Sequence, residues 1–140
     1  MRLELPAMAA MLFLPATALA DPHNVFGLFA VEDGNSHVEI SDCGDGTPCG
    51  AVVWIDPTSI ESGLPPEEVT APSTGEPVLG MVILQGLREA RRDWRGGTIY
   101  SPSADQSYGA RIRRLETGEL EVKGCVGPIC QTQIWTNLDP

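Results

Sequence analysis

Ser107 to Lys123, SYGARIRRLETGELEVK, is the stretch whose period decides the fold. Tyr108, Ala110 and Ile112 alternate with Arg111 and Arg113, and Leu120 and Val122 alternate with Glu119, Glu121 and Lys123. A period of two places one set on an apolar face and the other in water, which is the signature of a half-buried strand. Thr117-Gly118 between the two runs supplies the turn, so the pair reads as a β-hairpin.

Working outward, the same grammar repeats. Upstream, Trp94 to Tyr100 reads as a strand that contains Gly96-Gly97. Paired glycines inside a strand imply a sharp bend or the close approach of another backbone. Val78 to Leu84 is a further strand, turned by Gln85-Gly86, and Arg88 to Arg92 reads as a polar connector. Val25 to Val31, His37 to Ser41 and Ala51 to Ile55 precede it, with Asp33-Gly34 as a hairpin signal after the first. Gln131 to Thr136 closes the chain. Eight strand candidates joined mostly by tight turns predict an all-β fold, an eight-stranded antiparallel up-and-down barrel in which closure abolishes exposed edges. A two-sheet sandwich is the competing architecture.

Between the third and fourth strands, residues 56–77 hold Pro57, Pro65, Pro66, Pro72 and Pro77 without apolar periodicity. This acidic, Pro-rich segment predicts a long surface loop, mobile over residues 58–76, with one helical turn beginning near Glu67 and Glu68.

The first twenty residues predict a cleavable export signal. Arg2 gives the positive start, Met8 to Leu14 an apolar run too short to span a bilayer, and Ala18-Leu19-Ala20 the small-residue cleavage pattern. Cleavage after Ala20 leaves residues 21–140 as a single domain, periplasmic or secreted, with no membrane span. Removal of Arg2 and Glu4 leaves the net charge at −10. That acidity argues against nucleic acid as a partner. Its distribution is uneven. Asp21 to Leu87 holds eleven acids and no Lys or Arg, whereas the chain from Arg88 holds eight bases and seven acids. The expectation is that basic strands pair beside acidic ones and the asymmetry disappears; the alternative is a bipolar folded surface.

Gly27-Leu28-Phe29, Val38-Glu39-Ile40 with Cys43 and Cys49-Gly50, Gly80 to Leu84, Tyr108, Leu120 to Gly124 and Thr132 to Trp135 together resemble the bacterial family called domain of unknown function 2147. The most specific part is Trp94-Arg95-Gly96-Gly97-Thr98-Ile99-Tyr100-Ser101-Pro102. The resemblance implies an exported, lipocalin-like barrel with an internal cavity and brings no activity or ligand with it. Two departures stand out. Phe29 takes the place of the family's Trp, an aromatic that plugs the closed end. Ser101-Pro102-Ser103-Ala104-Asp105 replaces a turn of the form Asp-Pro-x-Asp-Gly.

Four cysteines, Cys43, Cys49, Cys125 and Cys130, allow three connectivities. The resemblance favours local pairing, Cys43 with Cys49 and Cys125 with Cys130, each a staple across a hairpin loop. Zinc is disfavoured by the loose spacing and by oxidation of exported thiols, and no Cys-x-x-Cys redox motif is present.

His23 and His37 have no nucleophile and acid at recognisable spacing. Asp42 and Asp45 lack the ligand series of a calcium loop, with Val53 where a closing Glu belongs. No cofactor or metal is therefore expected. Trp54, Tyr108, Ala110, Ile112 and Trp135 are the candidates to line a ligand cavity, or else to fill a solid core. The expectation is a monomeric, non-enzymatic binding module for a small, partly apolar ligand. The alternatives are an envelope interaction module using the 56–77 loop and, third, an uncharacterised enzyme.

Overall fold

A computed structural model describes residues 20–140. The expected export leader therefore lies outside the described residues, apart from Ala20. Nine hydrogen-bonded segments follow in order: β1 (Gly27–Ala30), β2 (Ser36–Asp42), β3 (Pro48–Ile55), β4 (Val82–Gln85), β5 (Arg88–Glu89), β6 (Trp94–Ser101), β7 (Gln106–Arg114), β8 (Leu120–Val126) and β9 (Ile129–Asn137). Every pairing is antiparallel. β4 and β5 are two halves of one strand, since Leu84 pairs with Ile99 and Arg88 with Arg95 along the same neighbour, β6. Counted so, there are eight strands, each bonded to its sequence neighbours, and β1 meets β9 through Phe29↔Asn137 and Ala30↔Thr136. The sheet closes as an up-and-down barrel.

Gly86 is a kink inside that divided strand, with φ 75°, and not the turn expected at Gln85-Gly86. Likewise Arg88 belongs to the sheet, and the actual turn is Ala90 to Asp93, whose amide and carbonyl bond at 2.8 Å. The kink drives Leu87 into the core at 2 % exposure. The paired glycines of β6 answer it. Gly96 takes φ 77° at a bulge, and Gly97 lies so close to the Gln85 carbonyl and the Leu87 side chain that a Cβ there would strike both.

One end of the barrel is packed solid. Phe29, Leu120 and Val38 are fully buried, with Ile112, Trp135, Val122 and Trp94 nearly so. The guanidinium of Arg114 lies 4.9 Å from the Phe29 ring centroid and donates to the carbonyls of Asn24, Phe26 and Gly118 at 2.7–2.8 Å. Phe29 thus fills the closed end with a cation on its face.

The 56–77 segment departs most from expectation. It is folded onto the barrel. Two 3₁₀ turns, Pro57–Ser59 and Pro66–Glu68, precede a small loop in which Ala71 is buried, Gly75 N donates to Ala71 O, and Thr70 bridges Pro77. The second turn falls where Glu67 and Glu68 suggested one. Ile60, Val69 and Val78 pack against the core. Anchors at irregular spacing leave no period to read. The fourth strand is correspondingly shorter than Val78 to Leu84, because Gly80 (φ 87°) breaks it.

Both disulfides are local, Cys43–Cys49 and Cys125–Cys130, with Cα separations of 5.2 and 4.0 Å. They fit an oxidising, extracytoplasmic setting. Among the described residues, no helix is long and apolar enough to cross a membrane.

Gly97→Ala should lower unfolding free energy by ~1–3 kcal/mol, the usual range for overpacking. Gly109→Ala, whose Cβ would meet only ordinary contacts from 3.5 Å, should cost less. Urea unfolding of the two variants checks the order.

Candidate binding hollow

The register sets which side chains face the open end. β7 and β8 carry Tyr108 and Gly124 one step above the buried Ala110 and Val122, and Gly124 stands opposite Ala110. The missing side chain at Gly124 leaves room there. A Cβ would meet Tyr108 Cβ at 3.4 Å and Ile99 Cγ2 at 3.9 Å, both ordinary contacts. Above this level the barrel is open, and a hollow of about 260 Å³ lies in its mouth. Ile99, Val122, Ile83 and Trp135 supply the apolar part of its wall. Ser36, Ser101, Tyr108, Gln131 and Gln133 supply hydroxyls and amides, and Asp33 the single ionised group. Trp135 Nε1 donates to Gln133 Oε1 at 3.0 Å, so the indole donor is engaged within the wall.

Tyr108 and Trp135 line the hollow. Ala110 and Ile112 do not; both are buried in the solid core beneath it. Trp54 is the clear correction. A bulge inserts Val53 between the pairs His37↔Trp54 and Val38↔Val52, which turns Trp54 outward. It is 38 % exposed and stacks on the His37 ring, centroids 4.2 Å apart. Of the family motif, Ile99 and Tyr100 line the hollow, while Trp94 is buried at the closed end and donates from Nε1 to His23 O at 2.9 Å. Pro102 sits in the β6–β7 turn and its carbonyl accepts from Asp105 N. Gln131 and Gln133 escaped the sequence reading, although their inward register with Trp135 along β9 was a usable signal.

A latch joins the 56–77 segment to this rim. Asp105 Oδ1 accepts from Tyr100 Oη at 2.6 Å and from Ser73 Oγ at 2.8 Å. Asp105 holds φ 49°, the left-handed region that most side chains avoid. The Tyr100 and Ser73 hydrogen bonds hold its carboxyl below the ordinary value, and the same carboxylate raises the Tyr100 phenol. An acid therefore remains in the turn despite its altered sequence.

The connections at the open end are residues 31–35, 56–81, 102–105 and 127–128. Among the described residues these carry Glu32, Asp33, Asp56, Glu61, Glu67, Glu68, Glu76 and Asp105 and no Lys or Arg. The charge asymmetry of the sequence thus survives folding at the mouth. At the closed end a second hollow, about 480 Å³, lies among Arg92, Arg113, Arg114 and Glu116. It is larger but a poorer candidate. Arg113 is held by both oxygens of Glu121 at 2.9 and 3.2 Å, Arg114 is committed to three carbonyls, and its wall reaches Ala20, where the described residues begin. Asp42 and Asp45 spend their carboxylates on the backbone of their own turn.

A model of the family described as "Uncharacterized protein conserved in bacteria (DUF2147)" matches residues 27–137. A solved structure from Helicobacter pylori, protein HP1028, described as belonging to the lipocalin family, superposes with a TM-score of 0.62 at 18% identity. The match covers 87% of this chain and 85% of that one, and it establishes likeness of fold. No curated protein matches the chain.

Because its folded carboxyl is depressed, the Asp105 latch should persist at all pH above the unfolded carboxylate value and be lost as pH falls through the lower folded one. Asp105→Asn or Ser73→Ala should release it at neutral pH. Hydrogen exchange should then speed up at residues 71–76 and leave the amides of β7 and β8 unchanged.

Proposed function

The chain belongs to the DUF2147 family of bacterial proteins, and from its lipocalin-type barrel we propose that it is a non-enzymatic binding module for a small, partly apolar ligand. It would act as a monomer in an extracytoplasmic compartment. The observation that carries this reading is the hollow itself, apolar at Ile99, Val122 and Trp135 and polar at the rim. Binding sites commonly combine such a wall with a few placed polar groups. At about 260 Å³ the hollow falls just under the ~300–1,000 Å³ usual for such sites, which restricts the ligand to a small molecule. Closure of the ring through β1 and β9 reduces the sheet edge open to a second chain, which supports the monomer.

A second reading uses the acidic loop as a contact surface. It is favoured by Leu64, 43 % exposed, beside exposed Glu61, Glu67 and Glu68 on a segment fixed to the rim.

An NMR screen of small fragments against isotope-labelled protein tests the first reading. Hits should shift the Trp135 indole and the amides of Ile99, Tyr108 and Gly124. Gly124→Leu, which fills the hollow, should weaken them by roughly tenfold or more while strand content stays unchanged. Shifts confined to residues 56–77 would instead favour the contact surface.

A further inference from the structure

We infer that the hollow selects a small cationic amphiphile, with an ammonium head beside Asp33 and a short apolar tail directed toward Val122 and Trp135. This deepens the binding reading by assigning the ligand's charge, and it depends on that reading.

The lining makes the first argument. Asp33 Oδ1 accepts from Asn35 N at 2.8 Å, which leaves Oδ2 for a ligand. The other polar groups of the wall, on Ser36, Ser101, Tyr108, Gln131 and Gln133, can all accept from the three donors of an ammonium. A carboxylate head would find no ionised donor, because none of the described residues lining the hollow is Lys or Arg. Burying a charge without a partner is costly.

The position of the remaining charges makes the second. Connections bearing only acids surround the mouth, and a concave site framed by one sign of charge concentrates ligands of the other. Among the described residues, no Lys or Arg stands in those connections; Arg91 and Arg92 lie in the Ala90 to Asp93 turn at the closed end. Arg95 is bound to Asp93 at 2.8 Å, Arg113 to Glu121, and Arg114 to carbonyls at the closed end.

Size makes the third. At about 30 Å³ for each water-sized group, the hollow takes roughly nine non-hydrogen atoms. A six-carbon chain with a compact head fits within that limit.

The full chain is titrated at neutral pH and low salt with hexylammonium, hexane-1,2-diol and hexanoate, followed by NMR at Tyr108, Gly124 and the Trp135 indole. Hexylammonium should bind roughly tenfold or more tighter than hexanoate, with the diol between. Its advantage should shrink at about 1 M salt, where charges are screened beyond ~3 Å, and in Asp33→Asn. Hexanoate or the diol equalling hexylammonium would overturn the charge assignment and leave the binding hollow standing. Hexylammonium shifts limited to the outer acidic loop would also overturn it. If none of the three perturbs the hollow, the binding reading falls together with this inference.

Discussion

The barrel depends on one close passage, where Leu87 and the Gln85 carbonyl cross Gly97. The divided strand must pair with β3 on one side and β6 on the other, and β6 must bend to receive it. A side chain at position 97 would hold the two backbones apart. Because the ring needs that pairing as well as the one between β1 and β9, the inward register of β6 and β7 relies on it, and with it the placement of Ile99 and Tyr108 at the mouth. The Trp-x-Gly-Gly-x-Ile-Tyr run is then intelligible as geometry. Trp94 anchors the closed end, the glycines turn and clear the seam, and Ile99 and Tyr100 emerge at the opening.

From this arrangement the molecule acquires two unlike ends. Below, aromatic and aliphatic side chains fill the interior, and Arg114 caps it by satisfying the carbonyls of Asn24, Phe26 and Gly118. Above, Gly124 interrupts the inward series Leu120, Val122 and creates space where a side chain would otherwise stand. The latch of Asp105, Tyr100 and Ser73 fixes the long acidic segment against the same rim, so the opening is framed by ordered chain.

Much of this was legible from period and turn chemistry. Strict alternation in β7 and β8 gave the faces correctly, since both strands pair in unbroken register. Trp54 was misplaced because a single inserted residue, Val53, reverses the facing of everything after it in β3, and an apolar run such as Ala-Val-Val-Trp-Ile carries no alternation that would reveal the slip. The order of the 56–77 segment was hidden for a related reason. Ala71 and Val78 are buried, and Ile60 and Val69 half-buried, one by one at turns, and burial at turns has no period. The polar character of the mouth was readable in part, since Gln131 and Gln133 share the facing of Trp135. The Gly124 gap required knowing its cross-strand neighbours.

The two disulfides bear on how the chain reaches this state. Each cysteine's native partner is also its nearest thiol in the sequence, at a separation of five or six residues. In an unfolded chain, thiols so near one another collide far more often than distant ones. Oxidation therefore favours the correct pairs before any barrel exists, and thiol exchange has few wrong bonds to undo. Neither bond spans the seam between the first and last strands. Closure of the ring is thus left to packing and hydrogen bonding, and the covalent chemistry can run to completion without waiting for it.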